Sequence, residues 1–215
     1  MKIQLVSAFL VLGLAGAAPA QAQVFGQYTG AEPLSVNTRL FGAYIHSSNN
    51  VVGLLGQLRL SFYPSVDFGF QGGISRHDLT GASSDSRTTV RLGADFKVRV
   101  ASEDVGAPVT IAVGAALGVE TGDNWSILSL GPTVVASHSF PVGSGGALTP
   151  YAGTGLLYSS IDVETLDDTD VSFPLRFGLD AQIASTLKLL VEMQIKVSDD
   201  FNDDSTLVAG VNLPF

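Results

Sequence analysis

Cysteine is absent from the chain, which excludes disulfides and thiolate metal sites. Basic side chains are scarce, 11 against 20 acidic ones, for a formal charge of −9. A chain so acidic lacks the electrostatic means of holding nucleic acid. Beyond the N-terminal 22 residues no apolar run approaches the ~20 residues of a spanning helix, so any membrane crossing has to be made by strands. Charged residues are only 14% of the whole while glycines number 24. That balance suits closely packed strands with one face turned to hydrocarbon.

What is present begins with Met1–Ala22, where Lys2, the apolar stretch Leu5–Ala18 and the small-x-small site Ala20-Gln21-Ala22 form a cleavable secretory signal. Removing it takes Lys2 away and leaves the mature chain, Gln23–Phe215, one unit more negative, at −10. Residues 23–35 lack periodicity and are expected to be a periplasmic lead-in. Residues 36–215 form one domain without a break in composition.

The pattern of that domain is clearest in residues 171–197. Val171, Phe173, Leu175, Phe177, Leu179 and Ala181 alternate with Ser172, Arg176, Gly178, Asp180 and Gln182. After a short turn Leu187, Leu189, Val191, Met193, Ile195 and Val197 alternate with Lys188, Leu190, Glu192, Gln194 and Lys196. A period of two separates apolar from charged residues; a helical period would mix them. Comparable runs occupy about 36–47, 51–63, 66–76, 88–100, 108–120, 126–140, 148–159 and 205–215. Pro132 falls inside one of them, where proline ordinarily marks a bulge or an edge. The first run alternates poorly, with Asn37 and Arg39 on the same parity as Phe41 and Ile45.

Short turns at one end and longer acidic segments at the other, such as Ser159–Asp170 and Ser198–Ser205, are the signature of an all-β antiparallel transmembrane barrel. The expected count is ten strands, with eight as the alternative. Tyr44, Phe62, Tyr63, Phe68, Phe140, Tyr151, Tyr158, Phe173 and Phe215 are expected in two aromatic girdles. A secreted soluble β-sandwich is the competing fold.

GQLRLSFYPSVDFGFQGG at 56–73, TPYAGTGLLY at 149–158 and the ending Val211-Asn212-Leu213-Pro214-Phe215 resemble the OmpA/OmpX-like small outer-membrane β-barrels of Gram-negative bacteria. The resemblance implies a bacterial outer-membrane location in contact with lipid and lipopolysaccharide. It also implies that Val211, Leu213 and Phe215 are the signal read by the barrel-assembly machinery.

The inward face carries Arg59, Arg91, Asp95, Lys97, Arg99, Glu120, Arg176, Asp180, Lys188, Glu192 and Lys196, with Arg39 and Asp67 beside them. Opposite charges in so small a cross-section should pair and pin the register. Small inward residues on the fifth run, Ala112, Gly114, Ala116 and Gly118, leave room that could form a narrow path. The clustered aspartates at 199–204 offer hard oxygen ligands without the spacing of a calcium loop, and no metal or cofactor is expected. His46-Ser47-Ser48-Asn49 matches the His-x-Ser-Asn of lipid A deacylases, and His77-Asp78 with Asp167-Asp168 resembles the paired residues of omptin-type proteases. The partner acid is missing for the first and the chain is too short for the second, so no enzyme activity is expected. A structural or surface-interaction role leads, with an unidentified extracellular partner; a narrow ion or small-solute pore is the alternative.

Overall fold

A sheet that turns apolar side chains to lipid has no edge to hide, so it must close on itself. The computed structural model describes residues 27–79, 85–123, 125–143, 145–163, 166–198 and 204–215, and shows that closure. Its strands are β1 (Arg39–Ser47), β2 (Val51–Tyr63), β3 (Val66–Leu79), β4 (Asp85–Ala101), β5 (Thr110–Gly122), β6 (Trp125–Ser137), β7 (Phe140–Val142), β8 (Gly146–Gly155), β9 (Leu157–Val163), β10 (Leu166–Ala184), β11 (Leu187–Ser198) and β12 (Asp204–Pro214). β12 returns to β1, with Phe41 opposite Leu213 and Ile45 opposite Ala209.

β8 and β9 lie end to end between β6 and β10 in one continuous register. β7 is a short ribbon against the start of β8. The twelve segments therefore make a ten-stave antiparallel barrel. Pro132 accounts for the break in the stave made of β8 and β9. With no N–H to give the ladder, it faces the point where the neighbouring chain leaves strand geometry at Leu156, whose own N–H reaches the Pro132 carbonyl at 3.1 Å.

The apolar parity faces outward. Leu54, Leu58, Phe70, Leu92, Leu117, Leu130, Phe177 and Val191 are all exposed on the outer surface. In water such a surface would be untenable; in a bilayer it is the spanning belt of an outer-membrane-type barrel. Phe62, Tyr63, Phe140 and Phe215 crowd the end that holds the tight turns and the chain terminus. Their place is that of an interfacial girdle.

Three expectations need correcting. Arg39 is not inward: β1 buries Leu40, Gly42, Tyr44 and His46 and exposes Arg39, Phe41 and Ile45. Two large apolar residues outweigh one arginine at a strand end, where a long side chain can reach the interface. Tyr44 and Tyr151 are not girdle residues, since their rings are buried inside. The long acidic segment 159–170 is largely strand, with Val163 opposite Leu166 and Asp162 opposite Asp167. Continuing the ladder satisfies backbone groups that a loop would leave to water. β4 with 17 residues and β10 with 19 exceed the ~9–11 residues needed to cross, so their hairpins project beyond the belt. The signal sequence, Glu164 and residues 199–203 lie outside the described residues.

A fourth correction concerns residues 27–35. Instead of trailing away as a periplasmic lead-in, the segment turns into the barrel, and Gln27–Ala31 are buried there. The cause lies in what the lumen holds.

Candidate functional site in the barrel lumen

Inward parity delivers charged side chains to a narrow space from which much of the water is excluded, and there each must find a partner. Arg59 on β2 is fully buried. Its guanidinium meets Asp67 of β3 and Asp95 of β4, the latter at 2.8 and 3.2 Å. Lys97, two residues beyond Asp95 and on the same face, lies 3.6 Å from the second Asp67 oxygen. The space for this cluster exists because position 69 is glycine. A Cβ there would fall 2.3 Å from an Asp95 oxygen and 2.6 Å from Arg59 Nη1.

Around the wall, Glu120 of β5 accepts from Arg91 at 2.6 Å and from Thr89 at 2.7 Å, and lies 2.9 Å from His77 Nε2. A third group centres on Glu192 of β11, which accepts from Tyr151 at 2.5 Å and from Gln194 at 2.5 Å, with Arg176 at 3.9 Å. Towards the rims, Lys188 stands 3.9 Å from Asp180 and Lys196 is 2.7 Å from Asp170. The inward ionic set thus resolves into separate clusters, each joining neighbouring staves rather than reaching across the barrel.

What crosses the middle is the chain's own N-terminal segment. Lys97 Nζ donates to Thr29 Oγ1 at 2.8 Å and to the Gly30 and Glu32 carbonyls at 2.7 and 3.3 Å. Arg59 donates to the Gln27 carbonyl at 3.2 Å. Asn212 of β12 donates to the Tyr28 carbonyl at 3.2 Å and accepts from Tyr44 at 2.5 Å. In the other direction, the Ala31 N–H donates to Ser137 Oγ at 3.0 Å and the Leu34 N–H to Asp67 at 3.1 Å. Arg99, predicted inward, pairs at the turn end with Glu32 of this segment.

Apolar contact completes the fit. The Tyr28 ring lies 4.6 Å from that of Tyr44, within a buried cluster that includes Ala31, Ala112, Val135 and Tyr151. Of the small β5 residues, Ala112 shares the cluster of Tyr28 and Ala31, Ala116 is buried with Leu157, and a Cβ at Gly114 would meet the Phe96 carbonyl. Between Leu55, Gln71, Arg91, Gly118, Ile127 and Ser129 a small cavity of about 30 Å³ persists, partly open to solvent.

Among the described side chains the His46–Ser48 pair is not formed, and those of Asp78, Asp167 and Asp168 lie outside the described ones. His46 is buried and its Nε2 meets Ser75 Oγ on β3 at 3.1 Å, so its hydroxyl partner is not Ser48. His77 points inward to Glu120 rather than outward in a loop. Sequence reasoning missed the roles of Tyr44, Tyr151, Asn212 and residues 27–34. The first three were signalled by inward parity, and residues 27–34 had no periodic signal at all.

No protein-family model and no curated protein matches the sequence. Solved structures do share its fold. The β domain of the Bordetella autotransporter BrkA superposes with a TM-score of 0.52 at 11% identity, covering 84% of this chain and all of that one. An outer membrane channel from Pseudomonas putida F1 gives 0.50 at 13%, covering 88% and 98%. At such identities the likeness is one of architecture, a transmembrane barrel of the outer-membrane type.

Proposed function

We propose that this outer-membrane barrel is a closed, non-enzymatic envelope protein with a structural or surface-interaction role, akin to the OmpA/OmpX-like small barrels but with ten staves. The observation that supports it is the burial of Gln27–Ala31 within the lumen, where they occupy the passage that a pore would need. The projecting hairpins at the far end supply a surface for lipopolysaccharide or an extracellular partner. At the opposite end, outward Leu213 and Phe215 suit recognition of the last strand, together with Val211, by the barrel-assembly machinery.

The second reading, a narrow pore, draws on the cavity beside Gly118 and Arg91. Vesicles carrying the full chain distinguish the two. Retention of a trapped monosaccharide at the rate of protein-free vesicles is the expected result, and release within seconds would replace the closed reading by the pore. For the enzymatic alternative, His46→Ala combined with Ser48→Ala should leave lipid A acylation unchanged in an expressing host. A deacylated product that vanishes in the double variant would overturn the non-enzymatic assignment.

A further inference from the structure

Arg176 on β10 is buried, and neither its Nη1 nor its Nη2 donates to any group among the described residues. Glu192 stands 3.9 Å from Nη1, near enough to offset part of the charge and too far to accept a hydrogen bond. Both Glu192 oxygens already have donors, Gln194 on Oε1 and Tyr151 on Oε2. The neighbouring stave makes room for the guanidinium. Opposite Arg176 on β8 stands Gly153, where a Cβ would lie 3.0 Å from Nη2 and 3.4 Å from Nε.

A second unspent donor belongs to the N-terminal segment. The Tyr28 hydroxyl is fully buried without a hydrogen-bond partner among the described residues, and Glu192, Arg91 and Arg176 all act on it electrostatically. Arg91 of β4 and Arg176 of β10 thus approach one hydroxyl from well-separated staves of the ring. Arg91 is engaged with Glu120 at 2.6 Å and also lines the small cavity with Gln71 and Ser129, so room for a few atoms adjoins the group.

Buried donors of this kind are costly to leave unmade, and a guanidinium fork matches the two oxygens of a carboxylate. We propose that Arg176 and the Tyr28 hydroxyl form a binding site inside the barrel for a small carboxylate anion. Its two oxygens accept from Nη1 and Nη2, and one of them also accepts from the Tyr28 O–H. Arg91, already paired with Glu120, adds to the positive field without touching the ligand. The site goes beyond the closed-barrel reading, because an anion held in the lumen needs no path past the N-terminal segment.

Formate, the smallest carboxylate, is the probe. Titrated into the full chain folded in detergent, and followed by saturation-transfer NMR on its C–H proton, it should bind saturably. Arg176→Gln and Tyr28→Phe should each weaken binding about tenfold or more, as for loss of hydrogen bonds to a charged group. Arg176→Lys keeps the charge and removes the fork, so it should bind as weakly as Arg176→Gln. Gly153→Ala, which presses on the guanidinium, should also weaken binding, and it decides where Arg176→Gln does not fold. Absence of saturable transfer in the parent chain would overturn the site, as would equal binding by the parent and Arg176→Gln. Parent-like binding by Arg176→Lys would overturn recognition by the fork. These titrations do not read conductance, so their failure would leave the closed barrel standing.

Discussion

At the scale of single residues, the barrel's interior is ordered by charges that cannot be left alone. Arg59 illustrates the rule, being enclosed with Asp67 and Asp95 and also bonded to the Gln27 carbonyl. Replacing it by methionine leaves two carboxylates without their shared cation, a change of the kind that costs about 3–5 kcal/mol. Arg59→Met should lower the urea midpoint of the detergent-folded barrel severely or prevent folding, and a midpoint within error of the parent would contradict the burial described. Gly69→Ala tests the same cluster sterically. The added methyl would press on both Asp95 and Arg59, and overpacking of this kind costs about 1–3 kcal/mol. Unchanged stability would show that the clamp is looser than its geometry.

At the scale of elements, each strand is defined by which parity meets lipid. Leu117 and Leu58 are exposed in the middle of their strands, whereas Phe62 is exposed at the turn end. Arginine on the lipid face costs about 2–4 kcal/mol at the midplane and about 0–1 near the interface. Leu117→Arg and Leu58→Arg should therefore impair folding into vesicles far more than Phe62→Arg; equal effects at the three positions would remove the membrane assignment.

This parity is also what made the strands readable from sequence. Val90 to Val100 and Val171 to Ala181 alternate without exception, so their registers and inward charges were legible. β1 was not, because its inward set, Leu40, Gly42, Tyr44 and His46, is little more polar than its outward set. The acidic ends of β9 and β10 read as loop in the sequence because side-chain polarity outside the bilayer does not report on backbone pairing. Residues 27–34 were illegible for another reason. Their backbone groups and the side chains of Gln27, Thr29 and Glu32 are held by residues distant in the chain, and neither hydrophobic period nor motif records such contacts.

At the scale of the whole molecule, ten staves enclose more space than their own side chains fill, and the chain fills part of the remainder with its N-terminal segment. Small barrels are ordinarily filled by inward side chains, with aqueous channels appearing at much larger strand numbers. Here Tyr28 and Ala31 of the N-terminal segment share one buried luminal cluster with Ala112 of the wall. A lumen occupied in this way should not conduct. Single-channel recording of the full chain in planar bilayers tests it most directly. The expected record shows no steady openings above the protein-free baseline; discrete, sustained openings whose size changes with Arg99→Ala or Asp180→Ala would show that the lumen conducts.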